Sequence, residues 1–136
     1  MLKQGLIYFN MDQNEQALAK YKTVVRDYPN TPEAIEAISN ARQVYVEQGR
    51  VAEYEKMVKN IDYIDASSKE IDGTLYESAE KQYVNNNYKK AISAFEEYVK
   101  RFPKGQNIIA SKYYLASSYE KEGQTDKARS NYKSVT

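Results

Sequence analysis

Along most of the chain, apolar residues recur three and four positions apart rather than at every second one. In Ala91-Ile92-x-x-Phe95-x-x-Tyr98-Val99-x-x-Phe102 they form one stripe on a helix. A strand needs period two, which these segments lack. Thr31-Pro32-Glu33 supplies an N-cap, a proline at the first helical position and an acid at the positive helix end. Ser67-x-x-Glu70 and Asp12-x-x-Glu15 have capping-box spacing, and Gly49, Asn86 and Gly123 stand where a helix should stop. The pattern predicts an all-α chain with helices over 2–11, 14–28, 32–48, 51–60, 68–85, 88–102, 107–122 and 125–135.

A shift of 37 residues superposes the chain on itself. Tyr8 meets Tyr45 and, three periods on, Tyr119. Asp12, Gly49, Asn86 and Gly123 share one register position; Ala17, Tyr54, Ala91 and Ala128 share another. Tyr21, Val58, Phe95 and Tyr132 share a third, and Pro29 and Pro103 coincide across two periods. This register predicts four helical pairs, over about 1–31, 32–68, 69–105 and 106–136. Each pair is too small to enclose its own apolar face, so neighbours must stack. The first unit lacks the opening of its leading helix and the fourth stops at Thr136, within its second helix. With Tyr132 and Val135 near that end, the expectation is a fragment of a longer array or a chain whose end docks, self-association included.

These landmarks resemble tetratricopeptide repeats. Gly5-x-x-Tyr8, Ala17-x-x-x-Tyr21 and Pro29 match the pattern in the first unit; Leu115-Ala116-x-x-Tyr119, Gly123, Ala128 and Tyr132 match it in the fourth. Ala79, Ala91, Phe95 and Pro103 match in the third, where Gln82 replaces an aromatic and Tyr83 takes its role. The second unit departs most, with Arg42 at a small-residue position and Tyr54 at an alanine position. The resemblance implies an α-solenoid of antiparallel helix pairs. Tyr-Pro-Asn-Thr-Pro-Glu-Ala and Arg-Phe-Pro-Lys-Gly further resemble bacterial cell-envelope repeat proteins, of the Tol–Pal coordinator and outer-membrane assembly lipoprotein kind. That implies an envelope or periplasmic setting.

By the same resemblance, the first helix of each unit lines a concave groove. The register then puts Gln43, Tyr76, Glu80, Tyr83, Tyr113, Ser117 and Glu120 on that surface. Tyrosine gives contact area at low entropic cost, with a hydroxyl for bonding. The expected function is a non-catalytic protein–protein interaction scaffold that binds a peptide or a partner helix. The alternative is a glycan-binding accessory protein of the envelope, with Tyr76, Tyr83 and Tyr113 stacking on sugar rings. The lysine–arginine–asparagine clamp by which some such domains hold an acidic C-terminus is replaced by Ser39, Asn40, Gln43 and Glu80.

Composition narrows the chemistry. The 136 residues include no cysteine and no histidine, which removes disulfides, thiolate nucleophiles, Cys/His zinc sites and Ser-His-Asp triads. No enzyme activity and no cofactor are expected. Asp12-x-Asn14-x-Gln16 begins like a calcium loop without its glycine and final glutamate, and is read as a cap. Asp62, Asp65 and Asp72 surround the junction of units two and three and are read as a capped linker. Residues 33–80 carry eleven acids and five bases, and residues 81–136 the reverse, around a net charge of +1. Lys89, Lys90, Lys100, Arg101, Lys127, Arg129 and Lys133 interleave with Glu96 and Glu97 on second helices, so nucleic acid is not an expected partner. No window is apolar enough to insert in a membrane.

Replacing Ala91 with leucine is expected to overpack the seam between helices and cost about 1–3 kcal/mol. A thermal melt checks this: a lowered Tm is the expected result.

Overall fold

A computed structural model describes the backbone of residues 2–135 and the side chains of residues 13–135. Seven helices occupy the described residues: α1 (Leu2–Asp27), α2 (Pro32–Glu47), α3 (Val51–Lys59), α4 (Ser68–Val84), α5 (Tyr88–Arg101), α6 (Ile108–Lys121) and α7 (Thr125–Val135). The chain divides into two compact units, Met1–Tyr45 and Val46–Thr136.

The helix starts follow from their caps. Thr31 Oγ1 accepts from the Ala34 amide at 3.1 Å and places Pro32 at the first helical position. Ser67 Oγ accepts from the Glu70 amide at 3.4 Å, while the Ser67 amide donates to Asp65 Oδ1 at 2.9 Å. That backbone donor holds the Asp65 carboxyl below its ordinary range. Asp65 is thus part of the α4 entry turn.

Helix stops fall on one register position. Gly49, Asn86 and Gly123 adopt positive φ of 70°, 62° and 79°. The next amides then reach back to the helix, Asn87 to the Gln82 carbonyl and Gln124 to the Tyr119 carbonyl, both at 2.8 Å. Asp12 holds the same position, yet the two helices predicted over 2–11 and 14–28 are one continuous helix, α1. Glycine and asparagine enter the left-handed region at little cost, whereas Met11-Asp12-Gln13 offers neither, and the helical ladder runs on.

Within the first unit, α2 buries Ala34, Ala37, Ile38, Ala41 and Tyr45 along one stripe. In the second unit, α3 packs on α4, α4 on α5, α5 on α6 and α6 on α7, with α4 also reaching α6. A shared core of Ala79, Ala91, Phe95, Leu115, Tyr119 and Ala128 draws on all four of α4 to α7. Small residues at 79, 91 and 128 let the helices approach, and the rings fill what remains. Tyr76, Tyr83, Tyr114 and Tyr132 close the edges of this core.

Two buried polar groups hold the helix junctions. Ser78 donates to the Val46 carbonyl at 2.8 Å and Gln82 to the Glu47 carbonyl at 3.1 Å, satisfying the open C-terminal end of α2. The polar residue at the aromatic landmark is therefore a helix cap supplied by the next helix, and Gln82 is only 3% exposed. Asp72 is also buried: Oδ1 accepts from the Tyr98 hydroxyl at 2.6 Å and from Asn107 Nδ2 at 3.0 Å. Tyr98 in turn accepts from the Asn107 amide at 2.9 Å. This knot ties the α5–α6 turn to α4, so Asp72 serves an interior joint rather than a linker.

Gly105 lies against that knot. A Cβ there would collide with the Asp72 carboxylate, the Tyr98 hydroxyl and Phe102, while a Cβ on Gly73, within α4, would meet nothing. Gly105→Ala is therefore expected to destabilise by about 1–3 kcal/mol. Gly73→Ala should stabilise by about 0.5–1 kcal/mol through helix propensity. Urea unfolding of the two variants checks the opposite signs.

Candidate functional site

The predicted surface residues occupy three register positions: 43, 80 and 117; 76 and 113; 83 and 120. Gln43 is exposed on α2, in the first unit. The other six belong to α4 and α6 of the second unit. On α4, the Tyr76 hydroxyl donates to Glu80 Oε2 at 3.0 Å, one turn along the same helix. Burial and the adjacent carboxylate hold that phenol neutral well above its ordinary range. The two helices meet where the Tyr83 hydroxyl and Ser117 Oγ lie 2.6 Å apart. On α6, Tyr113, Ser117 and Glu120 follow one another at helical spacing.

An aromatic chain runs beneath this face. Tyr76 sets its ring edge against Phe95 at 6.2 Å and Tyr98 at 6.3 Å. Tyr114 stacks on Phe95 at 5.8 Å and leans on Tyr83 at 4.8 Å. Tyr113 meets Tyr114 at 5.8 Å and Tyr132 at 5.9 Å, both edge-on. The 76–95 contact recurs 37 residues later as the 113–132 contact. Tyr76 and Tyr83 are half-buried, so part of each serves the core. Tyr113 is 51% exposed, and Ile109, one turn before it, is 64% exposed. These two side chains present apolar area to solvent on the same helix.

Polar chemistry elsewhere in the second unit is structural. Tyr119 donates to Glu96 across the α5–α6 seam. Arg101 makes a two-pronged bridge to Glu55, at 3.0 and 2.8 Å, from α5 to α3. The guanidinium holds the Glu55 carboxyl below its ordinary range. Arg101 is one of the basic residues of the second helices, and it is committed to this bridge. A cleft of about 860 Å³ is lined by residues of α3, α4 and α5, among them Val51, Leu75, Ala94 and Lys100. Its lining mixes lysines with Glu96 and Glu97 and has no single sign of charge. Among the described residues, no group of three or more acids gathers in a way that could hold a metal ion. No helix among them is long and apolar enough to cross a membrane.

Four of these partnerships had no sequence signal: Gln82 with Glu47, Asp72 with Tyr98 and Asn107, Tyr119 with Glu96, and Arg101 with Glu55. Each joins residues far apart in the chain whose types are unremarkable alone.

Residues 1–31, 74–105 and 110–136 match the tetratricopeptide repeat family. The chain belongs to that family. As a tetratricopeptide repeat protein it is an all-α solenoid of helical hairpins. The match carries no narrower subtype. The unmatched stretch between 31 and 74 contains Arg42 and Tyr54, the two departures from the small-residue landmarks. No curated protein matches the chain, and no solved structure does.

The buried phenols give the repeat fold a pH signature. Burial, then the bond to Asp72, pushes Tyr98 up to about 12; burial, then Glu96, pushes Tyr119 up to about 12. The unfolded chain ionises these groups near the ordinary value of 10.0 while the folded chain keeps them protonated. The folded state then binds more protons, so stability falls as pH rises from 10 toward 12. Tyrosinate absorbance followed through an alkaline titration is expected to show a late class of tyrosines that titrates together with loss of helix.

Proposed function

We propose that this tetratricopeptide repeat chain is a protein-interaction scaffold that receives an extended peptide or a partner's helix along the α4–α6 face. The observation that carries the reading is the pair Ile109 and Tyr113, exposed one turn apart on α6, with the Tyr113 ring edge-on to Tyr114, which leans on the half-buried Tyr83 of α4. An aromatic strip with hydroxyls at its rim suits a ligand with apolar side chains and a polar backbone. Glu80 and Glu120 bring acid to the same face, which favours a ligand with basic residues. Gln43, on α2 of the first unit, holds the register position that Glu80 and Ser117 hold in the second. We place the scaffold in the bacterial cell envelope, on the resemblance of its Tyr-Pro-Asn-Thr-Pro-Glu-Ala and Arg-Phe-Pro-Lys-Gly segments to repeat proteins found there.

A displayed peptide library panned against the chain tests the binding reading. Enriched peptides are expected to carry apolar anchors near basic residues, and Tyr113→Ala should weaken them about tenfold, the scale of a contact hot spot. Lys89→Ala, on α5, should leave them unchanged. A library that enriches nothing, or peptides indifferent to Tyr113→Ala, contradicts the proposal.

A further inference from the structure

The cleft between α3 and α5, about 860 Å³ and floored by α4, is a place where the chain leaves its own repeat unfilled. One period on, the corresponding seam is closed by two α6 side chains, Leu115 and Tyr119, which enter the core beside Ala91 and Phe95. The Tyr119 hydroxyl donates to Glu96, and the Lys127 ammonium lies over the Tyr119 ring, 5.6 Å from its centre. At the same register positions α4 carries Ser78 and Gln82. Both are smaller and more polar, and both are spent on the carbonyls of Val46 and Glu47. The volume that leucine and a tyrosine ring take up on α6 is therefore open above Ser78 and Gln82, against Val51, Ala52 and Ala94.

The charges around this cleft narrow what fits it. Lys90 holds the register position of Lys127 and lines the cleft, yet the lining contains no aromatic residue. Arg101 is committed to Glu55, and Glu96 to Tyr119. Glu97 adds to the carboxylate field that holds the Arg101 guanidinium charged. Among the described residues, that leaves Lys90 and Lys100 as the lining charges without a bonded or ionic partner. They stand on the same wall, about 15 Å apart along α5.

We propose that the α3–α5 cleft receives an aromatic side chain of a partner protein, seated under Lys90 as Tyr119 is seated under Lys127, on a segment that brings an acidic residue to Lys100. The ring gains apolar contact with Val51, Leu75 and Ala94 and a cation on its face. The acid pairs a charge that the chain itself leaves unpaired. The inference is independent of the peptide-binding reading, which concerns the α4–α6 face and a ligand with basic residues.

Fluorescence anisotropy with short labelled peptides tests it on the whole chain. Peptides that carry one tyrosine or tryptophan among acidic residues, at varied spacing, are expected to bind. The same peptides with alanine for the ring, or lysine for the acids, should bind about tenfold more weakly or worse. Lys90→Ala should weaken binding about fivefold, while Lys90→Arg keeps the cation and should retain it. Ala52→Phe, from an exposed position on α3, supplies the cleft with a ring of its own and should block the peptide; circular dichroism checks that helicity is unchanged. Lys121→Ala, on α6, should leave binding as it is. Failure of the acidic aromatic peptides to bind at any spacing overturns the proposal. So does binding that survives loss of the ring, or that neither Lys90→Ala nor Ala52→Phe weakens.

Discussion

In Val46–Thr136 no helical hairpin hides its apolar face alone; each lends it to the next. The seam between α5 and α6 is the contact on which the remainder rests. Ala91 and Phe95 present a shallow apolar surface, Leu115 and Tyr119 close over it, and the Tyr114 ring lies on Phe95. Alanine at 79, 91 and 128 sets how near the helices come, and that nearness decides how large the rings between them can be. The same constraint repeats at 37 residues, which is why one edge-on aromatic contact occurs twice. Stability in such an array is a sum of hairpins and their interfaces, so a change at a seam acts on its two neighbours first.

The polar interior groups act at the joints of this stack. Helix ends leave carbonyls without partners, and stacking buries some of them. Ser78 and Gln82 answer the end of α2 from the helix that follows it. Asp72, Tyr98 and Asn107 fasten the turn that carries the chain from one hairpin to the next. These bonds add direction to a packing that apolar contact alone leaves free to slide. A face such as that of Tyr76, Tyr83 and Tyr113 keeps its spacing because the joints beneath it are tied.

The periodic parts of this architecture were legible in the sequence. Helix starts at Thr31 and Ser67, stops at Gly49, Asn86 and Gly123, and the burial of Ala91, Phe95 and Ala128 all follow from local chemistry repeated at a constant interval. Where the chain broke its own pattern, the sequence was mute. Asp12 has the spacing of a cap, but whether a helix stops there depends on how readily its backbone turns left-handed, and α1 continues through it. Gln82 in place of an aromatic, and Asp72 among other linker acids, take their meaning from carbonyls and hydroxyls 26 to 35 residues away. Of the surface residues, Tyr83 and Ser117 do meet across two helices, while Tyr76 and Glu80 pair along one.

The α5–α6 seam can be observed directly by nuclear Overhauser spectroscopy of the aromatic rings, eased by the presence of only three phenylalanines. The account predicts cross-peaks from the Phe95 ring to Tyr114 and from Tyr114 to Tyr83, retained up to global unfolding. Sharp, helical spectra in which Phe95 shows contacts only to residues of its own helix would contradict it.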